Sequence, residues 1–396
     1  MKKKVEAKKT FSLSRFDFWV ILLSLVVYFE PQMFKEDYYF WLGYVDNIYK
    51  ILKILAVVYV AKVYLFKFKF KFSKILIAMG IFQVVGFIST VINSGSIVRF
   101  SGPALTTIFM IMASELLIHS GELFNVIKKL LYYFRACFVL NVLSIIFVDF
   151  VIGSDGIKLY FLGIDNRWIF TYLPWIAFEF LYSLKYSDKI SKKAILFFVV
   201  SEITFLYRMC LAAMLINLLW IFVIIKPISS ISKHSFKFFS GIVVLNISVV
   251  ILRVQKLFAK LLQFMKKDIT LSGRTLLWDS VLETVKNNPF LGNGMQALEY
   301  DKTLFMGNTN LPYLAVSHAH NSFMNVLYRS GIIGLAMYLY IIFISLKKNI
   351  LNNKNKFSKT LTFAVVITLC LAIFDTLDYA GFYFILACCY NIEYIS

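Results

Sequence analysis

The chain predicts an all-α, polytopic integral membrane protein with about twelve transmembrane helices and one large extracytoplasmic loop between spans nine and ten. Three observations carry this. Of the 396 residues, 60% are hydrophobic and only 16% charged, where a soluble domain has roughly 45–50% apolar and 25% charged residues. The apolar residues collect in repeated runs of about bilayer-crossing length. The basic residues are shared unevenly between alternate connections, as the positive-inside rule requires.

In chain order the runs are 17–33, 48–66, 75–93, 103–119, 131–150, 168–184, 194–207, 209–225, 238–252, 330–346, 360–375 and 380–395. The basic N-terminal tail precedes the first run, and no small-residue cleavage site follows that run. It reads as a cytoplasmic tail before a retained first span. With that tail inside, the inner connections hold 26 Lys and Arg. The short outer ones hold five, namely Lys35, Arg99, Lys158, Arg167 and Arg208. Both termini are then cytoplasmic. For the count to close, 194–225 must contain two spans that reverse at Arg208.

The chain accordingly divides into 1–252, the first nine spans; 253–329, the extracytoplasmic loop; and 330–396, the last three spans. The net charge of +20 follows from the inner connections. A nucleic-acid binder would need a basic soluble domain, and none is present. The five cysteines form no CxxC and read as small core residues. GxSxG and Walker A patterns are missing, which argues against a serine hydrolase and an ATP-driven pump.

The loop holds the unusual chemistry. Residues 253–267 alternate Lys and Arg with apolar residues at helical spacing, either a helix on the membrane surface or a continuation of span nine. Next, DITLSGRTLLWDSVLETVKNNP predicts a helix capped by Thr270 or Ser272 and ended by Pro289. Arg274 falls in its first turn, where a cation opposes the helix dipole. Either a bound anion relieves that conflict or an acid such as Asp268 pairs with the arginine. Gly292 and Gly294 suit a tight turn or a close backbone approach. In SHAHNSFMNVLYRSGIIG, His318 and His320 would share a side if the chain is extended, and Asn321 or Ser322 can cap the helix that follows. Two histidines without a third ligand make a poor zinc site. A neutral histidine there serves as a general base or only bonds the loop backbone. His119 and His234 fall at inner membrane edges and read as structural.

The order Gly273-Arg274, Trp278, then NPFLGNG at 287–294, then HAHNSFMNVLYRSGIIGL at 318–335, resembles the O-antigen ligase and polymerase family. The best-matching stretch covers 271–334, and hydropathy extends the likeness over most of the chain. TFLYRMCLAAML is similar to the arginine-bearing step that precedes the large loop in this family, with Arg208 in the arginine position and Tyr207 in place of the usual small residue. FLGIDNRWIFTYL is similar to an outer loop with Asn166 as counterpart and Arg167 beside it.

The resemblance implies metal-independent, inverting glycosyl transfer on the outer face of a bacterial cytoplasmic membrane. Undecaprenyl-diphosphate-linked oligosaccharide is donor and acceptor. Arg208 and Arg274 would hold the diphosphate, and His320 would take the acceptor proton. His318, Asn321, Asn166, Arg167 and Trp278 would line the substrate. No cofactor is implied, and a flippase and a chain-length regulator are the expected pathway partners. A Lys-, Ile-, Phe- and Asn-rich composition points to an AT-rich genome and so to a capsule or exopolysaccharide repeat-unit polymerase. The alternatives are an O-antigen-type ligase and a lipid-linked oligosaccharide flippase.

Overall fold

Twelve α-helices of ten or more residues are seen among the residues that a computed structural model of the chain describes, namely 11–35, 40–69, 71–147, 151–152, 157–163, 168–187, 192, 195–196, 199–200, 232–258, 260, 273–307, 318–376 and 379–395. They are α1 (Arg15–Tyr28), α2 (Phe40–Lys67), α3 (Lys74–Ile92), α4 (Ile97–Ser120), α5 (Leu123–Phe147), α6 (Ile169–Ser187), α7 (Ser235–Val250), α8 (Arg274–Asn287), α9 (Leu298–Gly307), α10 (Ser322–Leu351), α11 (Ser358–Leu371) and α12 (Ala380–Tyr390). The strands among the described residues, β1 (Val151–Ile152) and β2 (Ile157–Lys158), form a small antiparallel hairpin between α5 and α6. The spans expected at 194–207 and 209–225 lie almost wholly outside the described residues.

Helix starts follow local chemistry. Ser14, Ser73 and Ser96 each accept a bond from an amide of the first turn of α1, α3 and α4. Among the described residues, four helices are long and apolar enough to cross a membrane: α3, α4, α5 and α10. The outward side chains of α2 include Ile48, Ile51, Leu55 and Val58, all exposed, as a lipid-facing surface requires. Several apolar helices together mark an integral membrane protein.

Near the centre, α12 is buried over nearly its whole surface and packs against α4, α6, α10 and α11. It is shorter than its expected span. Eleven residues rise about 16 Å, roughly half of a 30 Å hydrocarbon core. Together α11 and α12 form a short hairpin inside the bundle, and its turn carries Asp375. Glu179 on α6 is buried and takes a two-pronged bond from Arg135 on α5, at 2.7 and 2.9 Å. The arginine compensates the carboxylate's loss of water.

The span expected at 330–346 is the second part of a longer, broken helix. At Gly331, φ is 61° and ψ is −164°, a region open essentially to glycine alone. There the NPFLGNG segment inserts. The amides of Ile332 and Ile333 leave the helix and donate to Pro289 O (2.9 Å) and Phe290 O (3.2 Å). The carbonyls of Tyr328 and Arg329, freed by the same break, accept from Asn293 N (2.7 Å) and Gly294 N (3.0 Å). These four groups released by the break are satisfied by protein, the condition for interrupting a helix in an apolar setting. On its other side the segment touches α3. A Cβ on Gly294, whose φ is +69°, would lie 2.4 Å from Thr90 Cα.

Candidate functional site

Three segments meet at one end of the bundle: the start of α8, the His-x-His corner before α10, and the turn after α11. Asn321 locks the corner. Its Oδ1 accepts from Met324 N at 2.9 Å as the N-cap of α10. Its Nδ2 donates to Asn246 Oδ1 on α7 at 2.6 Å and to Ile373 O at 2.9 Å. The backbone of Ser322 donates to Ala372 O at 2.8 Å. Asn321 is fully buried, so its polar groups are committed to this lock.

Held in this way, the corner turns sharply. His320 has φ +44°, a conformation unfavourable for a residue with a Cβ. Its Nδ1 lies 3.2 Å from Asp375 Oδ1. In the neutral ring the Nδ1 proton is donated to the carboxylate, and the lone pair stays on Nε2. Thr376 N also donates to Asp375 Oδ1, at 2.7 Å. Burial pushes the Asp375 carboxyl up. The His320 bond, the charges of His320 and His318 and the Thr376 amide outweigh burial and hold it below the ordinary carboxylate value. The His318 and His320 rings are 4.3 Å apart. His318 Nδ1 accepts from His320 N at 3.3 Å and lies 3.3 Å from Thr376 Oγ1.

Arg274 is the first residue of α8, following Gly273 at φ 79°. Gly273 takes the N-cap position without a side-chain cap bond, and the capping candidates Thr270 and Ser272 lie outside the described residues. Arg274 has no hydrogen-bond partner among the described residues. Burial lowers its pKa from the usual guanidinium value, and the Asp375 carboxylate pulls the other way. Trp278, one turn along, is fully buried, and its Nε1 donates to Ala319 O at 2.9 Å. It therefore supports the residue between the two histidines from beneath. It packs among Val249, Val250, Leu277, Val281, Met324 and Tyr328, so this part of the loop shares a small core with α7 and α10. Arg253 pairs with Asp279 and lies 5.8 Å from the Trp278 ring.

A second polar lock stands behind the loop. Asp301 on α9 is fully buried and takes bonds from Arg99 (2.9 Å) and the Tyr328 hydroxyl (3.0 Å). Burial pushes its carboxyl up, against the charges of Arg329 and Arg99.

Of the sequence-derived residues, His318, His320, Asn321, Arg274 and Trp278 come together here. Arg208, Asn166 and Arg167 lie outside the described residues. Asp375 was missed. Its signal was an acid at the outer end of a span, opposite a loop of basic character. Asn246 was missed too, a lone amide in an apolar run. Donor atoms of His318, His320 and Asp375 lie within 4.8 Å of one another, so the third metal donor that the two histidines lacked does exist. Two of these donors, His320 Nδ1 and Asp375 Oδ1, are engaged with each other. A cation would have to replace the His320–Asp375 bond with two contacts of roughly 2.0–2.2 Å.

The site thus sets a histidine–carboxylate pair beside a half-buried arginine. Residues 194–339 match the family model described as O-Antigen ligase. The match covers about a third of the chain, from before Arg208 into α10. The match includes Arg274, Trp278, His318, His320 and Asn321 and ends before Asp375. No curated protein and no solved structure matches the chain.

Proposed function

We propose that the chain polymerises undecaprenyl-diphosphate-linked repeat units into a capsular, exo- or O-antigen polysaccharide on the outer face of the cytoplasmic membrane. The observation that carries this is the Arg274 guanidinium, which has no hydrogen-bond partner among the described residues while its electrostatic neighbour Asp375 is engaged with His320. A two-pronged donor in that condition suits a diphosphate. In the reading with about twelve spans and both termini cytoplasmic, which the uneven distribution of Lys and Arg supports, this end of the bundle faces outward.

In the proposed reaction, His320 Nε2 takes the proton of an acceptor hydroxyl as that oxygen bonds to the anomeric carbon of the donor sugar. The bond from that carbon to the diphosphate oxygen breaks on the opposite face, so the configuration inverts. The electron pair leaves with undecaprenyl diphosphate. Arg274, together with Arg208, stabilises the charge that develops there. Asp375 orients His320 and stabilises the imidazolium. His318 and Thr376 hold the corner in register. In this reading the two arginines supply the charge that activates the departing diphosphate.

The test uses purified full-length protein in lipid nanodiscs with the lipid-linked oligosaccharide pool that accumulates in a strain lacking this gene. A ladder of products on a gel, insensitive to EDTA, supports the polymerase. A single transfer to a different acceptor identifies a ligase. Translocation without a new bond identifies a flippase. A ladder abolished by EDTA and restored by a divalent cation would assign the three clustered donors to a metal.

A further inference from the structure

A cavity of about 390 Å³ reaches Thr376, the neighbour of Asp375 in the chain, and lies within the range of about 300–1,000 Å³ typical of small-molecule sites. Phe82, Gln83 and Thr90 of α3, Phe100 and Thr107 of α4, and Asn325 of α10 form much of its wall. Thr376, which contacts His318, lines it as well. Asn325 is 1% exposed, yet neither its Nδ2 nor its Oδ1 has a hydrogen-bond partner among the described residues. A buried amide left unsatisfied destabilises the fold, so such groups in native proteins call for an explanation.

We infer that this cavity is the acceptor-sugar subsite and that Asn325 reads a hydroxyl or acetamido group of the ring that enters it. This rests on the reading of the chain as a glycan polymerase. Two features point to a sugar. The amide presents a donor and an acceptor together, matching a group that both gives and takes a hydrogen bond. A phosphate would satisfy the Nδ2 donors and leave Oδ1 against an anion, and the cations in the wall, Lys53 and Arg329, already face the carboxylates of Glu30 and Asp301. A polyprenyl tail would satisfy neither end of the amide. Phe82 and Phe100 offer flat apolar surface for the C–H face of a pyranose. Position supports the acceptor in particular. Asn325 lies one turn along α10 from the Asn321 cap, and Thr376 joins the cavity to the turn that carries Asp375. A ring bound here extends its hydroxyl towards the proposed base, while Arg274 belongs to the α8 side.

The experiment compares wild type with Asn325→Leu and Asn325→Ala in nanodiscs. The probe is the repeat-unit oligosaccharide released from its lipid by mild acid. It lacks the diphosphate leaving group, so binding is measured without turnover, by calorimetry and saturation-transfer NMR. Wild type binds the oligosaccharide, and both variants bind about tenfold more weakly, the effect of one lost hydrogen bond to a ligand. The melting temperature of each variant stays the same or rises, because the amide has no native partner to lose. Binding equal to wild type in either stably folded variant overturns the assignment. So does a loss of binding that only follows a fall in melting temperature. The same discs are given the intact lipid-linked pool. Failure of wild type to make polymer defeats the polymerase reading itself, whereas polymer formation with unchanged variant binding defeats only the subsite.

Discussion

Asp375→Asn isolates the part of the proposed mechanism that lies outside the family match. The substitution keeps the shape of the side chain and removes the charge that faces His320 Nδ1 at 3.2 Å. The two side chains are 22% and 28% exposed, so the pair is neither fully screened nor fully desolvated. When the imidazolium forms, the contact becomes a charge-assisted hydrogen bond, worth ~1.5–3 kcal/mol. At about 1.4 kcal/mol per tenfold, kcat should fall ~10- to 150-fold. The assay is the initial rate of polymer formation from lipid-linked repeat units, at saturating substrate. The decisive comparison is a double-mutant cycle. In a His320→Ala background, Asp375→Asn should cause almost no further loss, because the carboxylate acts through the ring. A wild-type kcat for Asp375→Asn, or losses that multiply in the double variant, would refute the dyad.

Three other outcomes follow from the same geometry. Arg274→Ala should lower kcat by ~10²–10³-fold, the size of losing one preorganised donor to a developing anion; Arg274→Lys should restore little of this, because an ammonium lacks the planar pair of N–H groups, and a recovery to near wild type would reduce the role to simple charge. Gly294→Ala should destabilise by more than ~2 kcal/mol, combining a strained backbone with a backbone clash at Thr90, and an unchanged thermal midpoint would contradict the inserted loop. Asp375 is held below its ordinary value, so its contribution to stability is complete only well above ~3.9, the unfolded value, and is lost progressively as pH falls through that value and the lower folded one. The difference in unfolding free energy between wild type and Asp375→Asn should therefore shrink as pH drops below about 5, measured by denaturant titration; a difference that widened towards acid would contradict this.

The sequence by itself determined the elements and much of the corner chemistry, because these depend on short-range patterns. Hydropathy located ten of the described helices, apolar period marked α8, and Pro289 marked where it stops. The cap at Asn321 was readable from the residue types around the helix start. His318 and His320 were readable as a pair because a bend places residues two apart on one side. The glycines of NPFLGNG were readable as a close approach, though not what they approach.

What only the tertiary structure decided was every relation across long sequence distance. Asp375 lies 55 residues from His320, and nothing local distinguishes it from other acids at span ends. The break at Gly331 depends on a segment some 40 residues earlier whose amides and carbonyls replace the missing helical bonds. Trp278, which the resemblance places along the substrate, is fully buried and bonded to Ala319 O. Asn325 looks in sequence like an ordinary polar residue of an amphipathic turn, and its want of a partner emerges only when α3, α4 and α10 enclose it. Periodicity fixes which face of a helix is apolar. It does not fix which distant polar groups a packed bundle brings within 3 Å of each other or leaves unsatisfied, and the proposed chemistry rests on those distances.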